Sequence, residues 1–137
     1  MDSNELKRRT KEFALRILRL VAALPNTLEG RNIGGQLVRA GTAVGANYRA
    51  TCRSRSKVEF VARIGVVEEE ADESAYWMEL IIEGEFLKRE QVEPLLNEAG
   101  ELAKIMARSR ISASATVSNT AKRQSAIGNR NSEMTHG

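Results

Sequence analysis

Apolar residues recur at alternating steps of three and four along most of this chain, the period of helices that bury one face. Leu6, Thr10, Phe13, Ile17, Leu20 and Leu24 form one such stripe. It predicts a first helix from about Asn4 to Leu24, stopped by Pro25. Ile33, Leu37, Ala40, Val44 and Tyr48 form the next, with Asn32 as its expected N-cap and an end near Ser54. Gly34, Gly35, Gly41 and Gly45 each weaken that helix by ~1 kcal/mol relative to Ala. Four glycines in one helix predict the close approach of a neighbour.

The third stripe is the longest. Phe60, Ile64, Val67, Ala71, Ser74, Met78 and Ile81 predict a helix from Lys57 to about Leu87, capped by Ser54 or Ser56. Lys88, Arg89 and Glu90 are expected to make the following turn. Pro94 then falls in the first turn of a fourth helix that buries Leu95, Ala99, Leu102 and Met106. Short connections between helices of this length make neighbours antiparallel. The pattern over 4–110 therefore reads as an all-α, up-down four-helix bundle. From 111 to 137 the sequence turns to Ser, Ala, Thr and Asn, too little apolar surface to offset the entropy of ordering. This stretch, with Lys122, Arg123 and Arg130, reads as a disordered tail.

Two helices carry a second apolar face. Leu15, Leu18 and Ala22 lie away from the core stripe of the first, and Val66, Trp77 and Leu80 away from that of the third. Scattered exposed apolar residues are ordinary, but an exposed tryptophan is costly and aromatic residues are enriched at interfaces. Leu15, Leu18, Val66, Trp77 and Leu80 are therefore the expected contacts between copies of the chain.

Composition narrows the class. Two prolines and few aromatic residues disfavour a β sandwich. The lone cysteine, Cys52, excludes an internal disulfide framework. The N-terminal residues are polar and acidic, and no apolar run approaches the ~20 residues that span a bilayer. A cytoplasmic protein without a membrane partner is expected.

Charge changes the picture more. Residues 1–63 hold 13 Lys and Arg against 5 Asp and Glu, whereas residues 64–110 hold 5 against 12. Arg39, Arg49 and Arg53 share one side of the second helix, and Arg55 and Lys57 continue past its end. Lys7, Arg8, Lys11 and Arg19 add a basic face on the first helix. Two readings stand: contacts to the phosphates of RNA or DNA, or pairing with the acidic third helix. There, Glu68, Asp72, Glu79 and Glu83 lie on one flank and Glu69 and Glu73 on another, a like-charge run that calls for basic partners. No aromatic RNA-binding motif or zinc-ligand spacing points to sequence-specific readout.

Catalytic chemistry has no foothold. A carboxylate-bridged di-metal bundle needs Glu-x-x-His pairs, and the one histidine is His136. Cys52 has no histidine partner within the bundle. Gly34-Gly35 lacks the Lys-Ser/Thr that completes a phosphate loop. The expected protein is not an enzyme and takes no metal or cofactor.

The segments Gln36-Leu37-Val38-Arg39-Ala40, Val44-Gly45-Ala46-Asn47-Tyr48-Arg49-Ala50 and Val66-Val67-Glu68-Glu69-Glu70-Ala71-Asp72-Glu73-Ser74-Ala75-Tyr76-Trp77-Met78-Glu79-Leu80 carry a resemblance. In order and spacing they resemble the bacterial four helix bundle protein family. That family includes proteins encoded in intervening sequences of large-subunit ribosomal RNA genes. The segments are also similar to the accessory variability protein of diversity-generating retroelements. The resemblance covers about residues 4–110 and implies a homopentameric barrel with basic surface and no enzymatic activity. In the retroelement branch it implies binding of a reverse transcriptase and nucleic acid. Asn47, Tyr48, Arg49, Glu69, Glu73, Tyr76 and Trp77 are the positions that match. The function expected is a homo-oligomeric accessory or scaffold factor that binds RNA or DNA through basic helix faces. The alternative is a protein-binding scaffold without nucleic acid.

Overall fold

Four helices account for nearly all of the 136 residues that the computed structural model describes, with side chains placed as far as Gly128. They are α1 (Ser3–Ala22), α2 (Leu28–Thr51), α3 (Lys57–Glu83) and α4 (Arg89–His136). Each packs on the next and α4 returns to α1, with no close backbone approach across either diagonal among the described residues. The turns 23–27, 52–56 and 84–88 reverse the chain each time, giving the up-down bundle that the apolar period predicts. None of the described helices is long and apolar enough to cross a membrane.

Phe13, Ile17, Leu37, Val44, Ile64, Met78, Ile81, Leu102 and Met106 fill the centre and are almost wholly buried. Each contributes ~1.5–3 kcal/mol by leaving water. Three of the five glycines of α2 meet α1 directly. A Cβ at Gly34 would touch Val21 at 3.0 Å, at Gly41 Ile17 at 2.7 Å, and at Gly45 the Thr10 carbonyl at 3.3 Å. Gly35 faces outward with nothing within 4 Å.

The helix ends differ from expectation in four places. α2 begins at Leu28 because the Thr27 hydroxyl, not Asn32, accepts the Gly30 amide at 3.0 Å. Asn32 lies exposed inside the helix. The turn after α3 is 84–88, so Arg89 and Glu90 already belong to α4. Gln91 Oε1 accepts the Lys88 amide at 3.1 Å and fixes this start. Pro94 therefore sits in the second turn, where its missing N–H leaves the Glu90 carbonyl without that helical donor.

The fourth difference is the largest. Where composition predicts a disordered tail over 111–137, α4 continues as one helix to His136; Gly137 lies outside the described residues. Composition does mark where burial falls away among the described side chains. Among the described side chains Ala113 is the last buried one, Ser114 and Val117 are half-buried, and 118–128 are exposed throughout. What it misses is that Ala, Ser, Lys, Arg and Gln tolerate a helix once Leu102 and Met106 have nucleated it.

Reversal at every turn sorts the charge along the bundle. The start of α1, the end of α2, the start of α3 and the middle of α4 meet at one end. Lys7, Arg8, Arg49, Arg53, Arg55, Lys57 and Arg108 gather there. Glu79, Glu83, Glu85, Glu90 and Glu93 crowd the other end.

Candidate nucleic-acid interface

The basic end is built around the corner between α2 and α3. Ser56 caps α3 by accepting the Glu59 amide at 3.1 Å, and Glu59 Oε2 accepts the Arg55 amide at 3.0 Å. Arg63 ties the corner from the other side. One of its nitrogens donates to the Ala50 carbonyl at 2.8 Å, and another pairs with Glu59 at 2.7 Å. One carboxylate thus fastens the turn and is itself neutralised by Arg63.

Arg49, Arg53, Arg55 and Lys57 stand around this corner, all exposed. Among the described residues, none of the four takes part in an ion pair. Lys57 Nζ lies 5.8 Å from the centre of the Phe60 ring. Tyr48, Cys52, Ser54 and Phe60 line a hollow of about 410 Å³ between them. Burial, with the Cys52 thiol beside it, pushes the Tyr48 phenol above its usual pKa and keeps it protonated as a donor.

Arg39 stands apart from this group. Its guanidinium pairs with Glu70 at 3.3 Å and with Glu73, and Glu73 also accepts the Trp77 indole N–H at 3.1 Å. Arg39 is therefore the member of the predicted α2 stripe that meets the acidic helix. Arg19 lies 3.7 Å from Glu12 on an exposed surface. Lys7 is half-buried, while Arg8 and Lys11 are exposed on α1 without a carboxylate partner among the described residues.

Sequence reasoning missed three structural arginines. Arg9 bridges α1 to Glu98 and Glu101 of α4 at 2.6 and 2.8 Å. Arg63 holds the corner, and Arg110 donates to Glu68 at 2.7 Å. That bond, with the nearby Glu68 charge, pushes the Arg110 pKa up. The signal for Arg9 was available: at 100° per residue it lies between the core stripe and the outer face, where a side chain reaches a neighbouring helix. The acidic run is thus compensated in part. Glu68, Glu70 and Glu73 have arginine partners, whereas Glu69, Asp72, Glu79 and Glu83 are exposed without one among the described residues. No three His, Cys, Asp or Glu side chains converge as a metal cluster among those residues.

The second apolar faces are present. Leu15, Leu18 and Val66 are exposed at 42, 45 and 42%. Trp77 and Leu80 are half-buried, Trp77 against the core. Tyr76, which packs edge-on against Trp77 with ring centres 5.2 Å apart, is the exposed aromatic. Of the other matching positions, Tyr48 is buried and Asn47 half-buried.

Residues 2–108 match the family described as 23S rRNA-intervening sequence protein. Among solved structures, the chain is similar to a protein of unknown function from the S23 ribosomal protein family of Bacteroides thetaiotaomicron. Sequence identity is 34% and the TM-score 0.74, over 80% of this chain and 98% of that one. No curated protein matches it.

Proposed function

Since the chain belongs to the 23S rRNA-intervening sequence protein family, we propose that it is a non-enzymatic, homo-oligomeric accessory factor that binds RNA or DNA through its basic end. One observation carries the reading: Arg49, Arg53, Arg55 and Lys57 share one corner, exposed and without carboxylate partners among the described residues. Arginine forks at such a corner suit phosphate oxygens, and they contact backbone rather than bases. Lys7, Arg8 and Lys11 extend the same end along α1. Arg39 and Arg19 have carboxylates of their own and serve the subunit first.

Self-association rests on the outer faces of α1 and α3. Leu15 and Leu18 lie beside basic Arg8 and Lys11, while Val66 and Tyr76 lie beside the unmatched Glu69 and Asp72. Apolar contact framed by opposite charge suits a heterologous contact, which closes into a ring. The pentamer implied by the resemblance is one such ring. A cytoplasmic location and a protein partner such as a reverse transcriptase belong to the same reading.

The test is binding of labelled RNA and single-stranded DNA across stepped salt. Submicromolar affinity that falls steeply with salt is expected, and the triple variant R49A/R53A/R55A should weaken it alike for unrelated sequences. No binding at low salt would leave the alternative, a scaffold for proteins. In sedimentation experiments, Leu15→Glu with Leu18→Glu should reduce the assembly to smaller species without loss of helix.

A further inference from the structure

Beyond the corner, α4 from Lys104 to Arg123 carries a basic surface of its own. Lys104, Arg108, Lys122 and Arg123 fall within about 100° of one another on a helical wheel. They lie on the side opposite Leu95, Ala99, Leu102 and Met106. All four are exposed, and none is in an ion pair among the described residues. Ser112, Ala115 and Asn119 lie between them on the same face, also exposed. No acidic residue occurs between Glu101 and Glu133. At ~1.5 Å per residue the stripe from Lys104 to Arg123 is about 28 Å long, close to the ~34 Å of one duplex turn.

We propose that this outer face of α4 is a phosphate track, a second nucleic-acid contact continuous with the α2–α3 corner. It rests on the reading that the protein binds nucleic acid, and it names residues outside the matched family region for part of that site. The match to the family ends at 108, so Lys122 and Arg123 lie outside the matched region. The continuation leaves the bundle beside the corner: Lys57 and Val58 of α3 share a groove with Val117, Thr120 and Gln124 of α4.

Charge and composition select the partner. A surface that meets another protein is enriched in aromatic residues and Met at its centre, and between its cations this stripe has the short side chains Ser112, Ala115 and Asn119, with Ile111 at its border. Two pairs of cations, with short side chains between them, let a phosphodiester backbone lie close to the helix, contacting phosphates without reading bases. Beyond Val117 the described side chains, 118–128, are all exposed and bury nothing against the bundle. A polyanion laid along it would cancel the repulsion between Lys122 and Arg123 and stabilise the helix at the same time.

The experiment uses the full-length chain, a labelled 20-base-pair RNA duplex and a single-stranded RNA of the same length, titrated at several KCl concentrations. K122A/R123A and K104A/R108A are expected to weaken duplex binding about tenfold each at moderate salt and to lower the log–log salt slope by about 2. Hydrogen exchange over 118–128 should slow when RNA is added to the wild type. If both double variants keep the affinity and slope of the wild type while R49A/R53A/R55A loses them, the track falls and the corner stands. If the wild type binds neither RNA, the track falls, and if it binds no single-stranded DNA either, the function falls with it. A smaller oligomer for K122A/R123A would make the stripe a subunit contact and overturn the proposal.

Discussion

Arg9 of α1 grips Glu98 of α4 with two hydrogen bonds, from Nε at 2.8 Å and from Nη2 at 2.6 Å, one to each carboxylate oxygen. The two side chains are 20% and 16% exposed, and the bond to Glu98 is the chief reason the Arg9 pKa is pushed up. They join the two helices that share the slimmest seam of the bundle. Arg9→Met is expected to cost about 1–3 kcal/mol, because Glu98 is left with its charge unmet. Glu101→Gln should cost less than about 1 kcal/mol, since Glu101 is 66% exposed and water screens the pair. Thermal melts followed by circular dichroism measure both.

The glycines of α2 predict opposite outcomes one helical face apart. Alanine at Gly41 would place its Cβ 2.7 Å from Ile17 Cγ1, and forcing that buried contact apart should destabilise by about 1–3 kcal/mol. Gly35→Ala meets nothing within 4 Å and should stabilise by about 0.5–1 kcal/mol through helix propensity. Urea unfolding of the two variants gives the sign directly.

Glu85 holds a positive φ of 60° after the C-cap of α3. Its amide bonds the Ile82 carbonyl and that of Phe86 bonds the Ile81 carbonyl, each at 3.0 Å. This is the Schellman arrangement, with a side chain where glycine is the usual occupant. The left-handed conformation costs a non-glycine residue roughly 1–2 kcal/mol, partly offset by the greater freedom of glycine in the unfolded chain. Glu85→Gly should therefore raise stability by about 0.5–1 kcal/mol, read from the urea midpoint.

Tyr48 makes stability depend on alkaline pH. Its folded-state pKa is raised above the ordinary 10.0, chiefly by burial. Below pH ~10 both folded and unfolded chains keep the proton. Above it the unfolded chain ionises first, so stability falls as pH rises, by up to ~1.4 kcal/mol per pH unit. Tyr48→Phe removes that contribution, and its loss of stability between pH 9 and pH 11 should be smaller than that of the wild type.

The core stripes were legible because burial follows period. Phe13, Ile17, Ile64, Val67 and Met106 lie where the spacing of three and four puts them. The helix starts were harder, because Thr27 and Asn32 are both good caps and only the Gly30 amide decides between them. Pro94 misled for a related reason: a proline is tolerated in a second turn when one unbonded carbonyl is accepted. The corner cations were readable as a cluster, but not which of them were free. Arg39 and Arg49 lie on one side of α2, and only the packing of α3 shows that Glu70 and Glu73 take the first and leave the second. Lys104 and Arg108 were overlooked as a surface because the change in composition near 110 hid the continuity of α4.

The closed ring of helices also bears on how fast the chain finds it. Three of the four seams join helices that follow one another through a five-residue turn. Only the α1–α4 seam spans the chain, and the Arg9–Glu98 contact joins residues 89 apart. A contact map so dominated by neighbours has low relative contact order, the regime of helical bundles that fold in microseconds to milliseconds. Loop closure then weighs most on that one seam, so α1 docking on α4 is the step expected to come last in folding.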